Sequence, residues 1–127
     1  MTEQENRDTI DRLVRGLNEE DLDLFHAQFH TDSVMTYPQS GERIVGDENR
    51  RGVYGAFPKL PKVAPQRVTV NGDLGVLEAK LDYGDDVDWW AILVLEFSNG
   101  KIARETAFWA QPFPAADWRA GWVEPPT

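Results

Sequence analysis

Glu105 has the setting best suited to acid–base chemistry in this chain of 127 residues. It lies in the stretch 101–111, which we expect to be a strand, where alternation places Ala103, Glu105, Ala107 and Trp109 on one face. On a covered apolar face the carboxyl would lose hydration, and its pKa would rise towards neutrality, as a general acid or base requires. Two other interpretations stay open: Glu105 pairs with a buried arginine, or it faces solvent at a sheet edge.

Tyr37 and Tyr54 could assist such a carboxyl. A phenol can donate a hydrogen bond from within an apolar wall, so it could polarise the carbonyl or hydroxyl of a ligand. We therefore predict Glu105, Tyr37 and Tyr54 as the candidate catalytic residues. The alternative is that both tyrosines are wall residues with a local partner.

Metal and cofactor chemistry find little support in the sequence. His26 and His30 are one helical turn apart and Asp32 is close, but the chain has no third histidine, no cysteine and no HExxH motif. The acids of 82–88 lack the spacing of a calcium loop. No glycine-rich nucleotide-binding motif is present. We expect no metal site and no cofactor.

Helices are predicted in the first half of the chain. Ile10, Leu13, Val14 and Leu17 form the stripe of one buried helix face. A second helix would place four side chains on one face, namely Leu22, Phe25, His26 and Phe29. A third helix is expected from Gly46 to about Phe57.

The second half of the chain predicts strands. After a short strand at 34–37 come β-type runs at 67–71, 74–83, 89–97 and 101–111. The dipeptides Asn71-Gly72 and Asn99-Gly100 are hairpin signals. The run 58–65 holds three prolines and is predicted to be a loop. Helices followed by a strand meander indicate an α+β fold with the helices on one face of an antiparallel sheet.

The last sixteen residues differ from the rest in composition. They carry Trp118 and Trp122 between Pro112 and Pro114 on one side and Pro125-Pro126 on the other. Proline keeps such a segment out of a sheet, while indoles require an apolar surface. We therefore predict a domain at 1–111 and a C-terminal arm at 112–127, docked on the domain or on a partner subunit.

The order of several short motifs resembles the NTF2-like superfamily of cone-shaped α+β folds, especially its SnoaL-like and ketosteroid-isomerase-like members. The likeness begins with Leu-Asn-x-x-Asp-Leu-Asp at 17–23, passes Tyr37-Pro38 and Gly46, and closes with Phe-Ser-Asn-Gly-Lys-Ile at 97–102. The resemblance implies a curved, mostly antiparallel sheet with helices packed on its concave face. It also implies an apolar pocket on that face.

Matching to the ketosteroid isomerases argues against their chemistry here. Their proton-shuttling Asp falls on Tyr37, their oxyanion Tyr on Leu13 and their protonated Asp on Trp90. A supporting Tyr and a pocket Trp are matched by Tyr54 and Trp109. The resemblance thus implies a pocket kept without that isomerase chemistry. We predict that the ligand is bound by Leu13, Phe25, His26, Phe29, Met35, Trp90, Ala107 and Trp109.

Composition limits the partners. The formal net charge of −9 repels phosphate backbones, so we expect no nucleic acid partner. No apolar run approaches the roughly 18 residues of a membrane span, and the charged first twenty residues are unlike a signal peptide. The absence of cysteine fits a reducing compartment. We expect a cytoplasmic protein with no membrane partner.

These observations predict a SnoaL-like protein that binds a small apolar molecule. It would be an acid–base enzyme of isomerase, cyclase, dehydratase or hydrolase type. The alternatives are a non-catalytic ligand-binding protein and a dimeric interaction module whose pocket is only core. A pocket carboxylate hydrogen-bonded to Arg or His would favour the enzyme, and a lone carboxylate would favour binding. We also predict a homodimer through the convex sheet face, because the run 89–97 is apolar on both faces.

Overall fold

The computed structural model describes residues 2–124. Its helices are α1 (Thr2–Asn18), α2 (Leu22–His26) and α3 (Asp47–Gly55), and a short 3₁₀ helix follows at Asp117–Trp122. The strands are β1 (Phe29–Tyr37), β2 (Glu42–Val45), β3 (Lys62–Asn71), β4 (Leu74–Asp82), β5 (Trp89–Ser98) and β6 (Lys101–Ala110). This confirms the predicted α+β architecture.

The six strands form one mixed sheet in the order β2-β1-β6-β5-β4-β3. All neighbours pair antiparallel except β1 and β6, which run parallel and place Met35 beside Glu105. This parallel seam joins the first strand of the chain to its last. The sheet therefore has β2 and β3 as its two edges.

The helices pack on the concave face of the sheet through their apolar stripes. In α1, Ile10, Leu13 and Leu17 are buried, as the periodicity predicts. The α1–α2 contact depends on Gly16, because a Cβ there would lie 2.7 Å from the backbone nitrogen of Phe25. Asp21 begins α2 by accepting a hydrogen bond from the Leu24 N–H at 3.1 Å.

Two elements differ from the sequence prediction. Phe29 begins β1 rather than continuing the second helix, since α2 ends at His26. Pro65, predicted to be in a loop, lies within β3 and pairs with Ala79 next to a register shift. Proline is tolerated there because β3 is an edge strand, and the backbone N–H groups on its outer side have no strand to pair with.

A single apolar core lies between the helices and the sheet. The C-terminal arm, residues 112–127, follows β6 and is described as far as Glu124, so its Pro125 and Pro126 lie outside the described residues. Within residues 2–124, no helix is long and apolar enough to cross a membrane.

Candidate functional site

A cavity of about 240 Å³ lies between the helices and the concave face of the sheet. Its wall comes from α1, α2, α3, β1, β3, β4, β5, β6 and the loops that follow α3 and β4. Nearly all of the lining is apolar or aromatic. The lining residues are Leu13, Val14, Leu17, Phe25, Tyr37, Val53, Tyr54, Phe57, Pro61, Val63, Leu77, Ala79, Leu81, Tyr83, Ala91, Leu93, Glu105, Ala107 and Trp109.

Among residues 2–124, Glu105 is the only carboxyl in this lining. It is buried, with 4% of its surface exposed, and no residue in the described range 2–124 makes a hydrogen bond to it. Its β-strand neighbours on the same face are Met35 and Leu95, which are both apolar. Burial raises the pKa of Glu105 to about 7, and the Arg50 charge opposes that rise.

Tyr37 and Tyr54 bring two phenol groups to the same part of the cavity. Burial raises the pKa of Tyr37 to about 12, and the Glu105 charge adds to the rise, while a hydrogen bond with Tyr54 opposes it. Burial, and then Glu105, likewise raise the pKa of Tyr54 well above its usual value. Both phenols therefore keep their protons at neutral pH and remain hydrogen-bond donors.

Packed rings hold the phenols in place. Tyr37 meets Trp109 edge-on, with the ring centroids 4.7 Å apart. Tyr54 stacks between Phe25 at 4.5 Å and Phe57 at 5.3 Å. Such contacts restrict the rotamers of both tyrosines, so the two hydroxyls lie in a fixed position relative to Glu105.

Behind this wall lies a second polar centre at Arg50, which is 1% exposed. Arg50 Nε donates to His26 Nδ1 at 3.0 Å, and Nη1 donates to Ser33 Oγ at 2.7 Å. Its Nη2 pairs with Asp47, and the guanidinium lies 4.3 Å from the centre of the Phe29 ring. Every side of this cation is thus matched by a partner within the protein.

Burial and the neighbouring arginines keep His26 neutral. Burial lowers the pKa of His26 to about 4, and the charges of Arg50 and Arg51 add to the effect. His26 Nδ1 must be unprotonated to accept the bond from Arg50. The other histidine is also engaged, since His30 Nε2 lies 2.6 Å from the Ser98 carbonyl oxygen.

The structure brings seven of the eleven predicted site residues to the cavity wall: Leu13, Phe25, Tyr37, Tyr54, Glu105, Ala107 and Trp109. The other four, His26, Phe29, Met35 and Trp90, are not among the lining residues. His26 is turned to Arg50, and Phe29 and Met35 are buried core residues behind the wall. Trp90 is 43% exposed on the outer face, because its neighbour Ala91 is the residue that faces the cavity.

Sequence reasoning missed much of the rest of the wall. Leu77, Ala79 and Leu81 follow the alternation of β4, and Ala91 and Leu93 follow that of β5, so strand periodicity could have found them. Val53 and Phe57 depend on how α3 sits above the sheet. No pattern in the sequence gives that placement.

The comparisons with known proteins identify the family. The SnoaL-like domain family matches residues 10–105, about three-quarters of the chain. The chain belongs to this family. Among curated proteins, none matches the sequence.

Solved structures agree with this membership. An NTF2-like protein of unknown function from Burkholderia xenovorans is 30% identical, with a TM-score of 0.87, and the match covers 100% of this chain and 99% of that one. A putative ketosteroid isomerase from Kribbella flavida is 22% identical at a TM-score of 0.89, covering 98% and 91%. An LEH-like epoxide hydrolase from M. tuberculosis is 20% identical at 0.72, covering 84% of each chain.

The last two proteins share the fold and carry different activities in their names. The fold therefore occurs in proteins named for different activities, and the fold alone does not select a reaction. The reaction has to be inferred from the chemical groups on the cavity wall.

Proposed function

We propose that this SnoaL-like protein binds a small, uncharged and largely apolar molecule in the cavity and moves a proton to or from it through Glu105. The observation that supports this most directly is a buried carboxyl on an apolar cavity wall with no hydrogen bond from any described residue. Buried polar groups normally have partners, so a bound molecule is the natural source of one.

The state of Glu105 suits proton transfer. A pKa of about 7 means that both the acid and the carboxylate are populated at neutral pH, which is where a general acid or base works best. Tyr54 donates its phenol proton to Tyr37, since their hydrogen bond raises the pKa of Tyr54 and lowers that of Tyr37. Tyr37 would in turn donate to a carbonyl or hydroxyl oxygen of the ligand and stabilise charge that develops on it. In this step a proton passes between the ligand and the Glu105 carboxyl, and no other reactant is consumed.

The cavity wall also limits the ligand. In the described part of the chain no lysine, arginine or histidine lines it, so an anionic ligand would meet Glu105 with no cation on the wall to balance its charge. A volume of about 240 Å³ is below the roughly 300–1,000 Å³ typical of drug-sized ligands. The wall therefore favours a molecule about one ring in size with a single polar oxygen.

Solvent exchange of a ketone tests the proposal. With cyclohexyl methyl ketone as probe, NMR in deuterated water would follow loss of the protons next to the carbonyl. We expect the protein to accelerate this exchange, and Glu105→Gln to slow it by roughly 10²–10⁴-fold. Glu96→Gln, which changes an exposed carboxyl of β5, is the matched control and should exchange like the wild type.

Binding without turnover is the second candidate. It is favoured because neither Arg50 nor His26 hydrogen-bonds to Glu105, so the carboxyl lacks a second ionisable partner of the Arg or His type. A carrier would bind the ketone in a thermal-shift titration without accelerating its exchange. Cyclohexanecarboxylate, of nearly the same shape but anionic, should bind far more weakly in either case, and equal binding would contradict the proposed ligand class.

A further inference from the structure

The C-terminal arm presents large aromatic side chains to solvent in the single chain. Phe113 is 79% exposed, Trp118 75% and Trp122 85%. Arg119 lies 5.6 Å from the Trp118 ring, and this is the only ring contact of the two indoles within the described residues. The 3₁₀ helix Asp117–Trp122 buries none of its residues. This segment has a defined backbone and an apolar surface that its own domain does not cover.

Water is a poor environment for these rings. Each can remove on the order of 150–250 Å² from solvent when it docks. Pro112 and Pro114 hold the start of the arm extended, because each fixes its own φ and restricts the residue before it. The exposure of Phe113, Trp118 and Trp122 shows that the arm does not pack these rings on its own domain.

An apolar patch lies beside the point where the arm departs. Trp90 and Phe108 are 43% and 39% exposed on the convex face of the sheet. Trp90 pairs with Ala110, the last residue of β6. Phe108 pairs with Ile92, two residues farther from that end of the strand. The uncovered patch and the root of the uncovered arm are thus neighbours on one chain.

We propose that two copies of this chain exchange arms, so that each arm docks on the Trp90–Phe108 patch of the other copy. A two-fold axis beside the arm root brings each patch within reach of the other chain's arm and satisfies both surfaces at once. The six aromatic rings of two exchanged arms would bury on the order of 1,000 Å². With the surfaces they cover, this reaches the roughly 1,200–2,000 Å² of stable interfaces.

Sedimentation equilibrium at micromolar concentration tests the exchange. The wild-type chain should be a dimer, and the double variant Trp118→Ser/Trp122→Ser should raise the dimer Kd by about tenfold or more. Phe108→Ser, on the receiving patch, should weaken the dimer in the same way. Val45→Ser removes another exposed apolar side chain, on β2 away from the patch, and is the control that should leave the Kd unchanged.

Isotope-filtered NOE spectra distinguish exchange from other placements. In a mixture of labelled and unlabelled chains, we expect contacts from the arm indoles of one chain to Phe108 of the other. A monomeric wild type, contacts confined to one chain, or a dimer indifferent to both sets of variants would overturn the proposal. Arm variants that alter ketone binding and spare the dimer would instead identify the arm as a lid over the cavity.

Discussion

Arg50 and Glu105 are buried to nearly the same degree, 1% and 4% exposed, yet their surroundings differ completely. Arg50 bonds to His26 and Ser33 and pairs with Asp47, while Glu105 has no hydrogen bond from residues 2–124. Arg50 lies behind the wall, and Glu105 lies on it. A buried charge with all its partners in the protein stabilises the fold, whereas one without them, on a cavity, is available to a ligand.

The pKa values express the same contrast. Burial lowers the pKa of Arg50 and the Asp47 charge opposes that fall, while a guanidinium stays charged in proteins in any case. For Glu105 burial is the dominant cause of the pKa shift, and it raises the pKa to about 7. Natural proteins tolerate such destabilised groups mainly where function uses them.

The largest effect should come from Arg50→Met, which keeps the bulk of the side chain and removes its charge and donors. The acceptors on His26 and Ser33 would lose their bonds, and Asp47 would lose its buried partner. We expect a loss of about 3–5 kcal/mol in the free energy of unfolding, measured by urea denaturation. A loss below about 1 kcal/mol would mean that the cluster is not structural.

Glu105→Gln should raise the free energy of unfolding rather than lower it, and the size of this effect should depend on pH. In the wild type the folded pKa of Glu105 exceeds its unfolded value of 4.5, so folding holds a proton that the unfolded chain releases. Stability therefore falls as pH rises from about 4.5 to about 7. Near pH 8 the glutamine variant should be more stable than wild type by up to about 3 kcal/mol, and near pH 4 the two should be alike. A variant less stable at pH 8 would point to an ion pair at Glu105.

Arg51→Ala should have the smallest effect and provides the control for Arg50. Its Nε lies 2.7 Å from Asp47 Oδ2, but its side chain is half exposed. Surface pairs contribute about 0–1 kcal/mol, so we expect a loss in that range by urea denaturation. A loss as large as that of Arg50→Met would show that Asp47, shared by both arginines, decides the stability of the cluster.

Much of the cavity could be predicted because strand alternation is local. Glu105, Ala107 and Trp109 follow from the period of two along β6. The match to the isomerases places Trp90 at the pocket, whereas in the structure Ala91 lines the cavity and Trp90 faces outward, since a shift of one residue along a strand reverses the face. The sequence prediction of the helices and of the strand meander agrees with the structure for the same reason of locality.

Tertiary placement accounts for what could not be predicted. Arg50 has the pattern of a solvated helix residue, and only the packing of α3 against β1 and α2 buries it. Phe29 continues the spacing of a helix face, yet it begins a strand because β6 offers it a partner, Ile102. The parallel pairing of β1 with β6 has no local signal at all.

The parallel seam between β1 and β6 has a kinetic consequence. The pairs β3–β4, β4–β5 and β5–β6 join strands that are neighbours in the sequence. By contrast, β1 pairs with β6 although most of the chain separates them. Long loop closures of this kind are slow and come late in folding. Tyr37 lies on one side of the seam and Glu105 on the other, so the cavity is assembled only when the seam closes. A ligand would then leave the refolding rate unchanged and act by holding the seam shut, which slows unfolding.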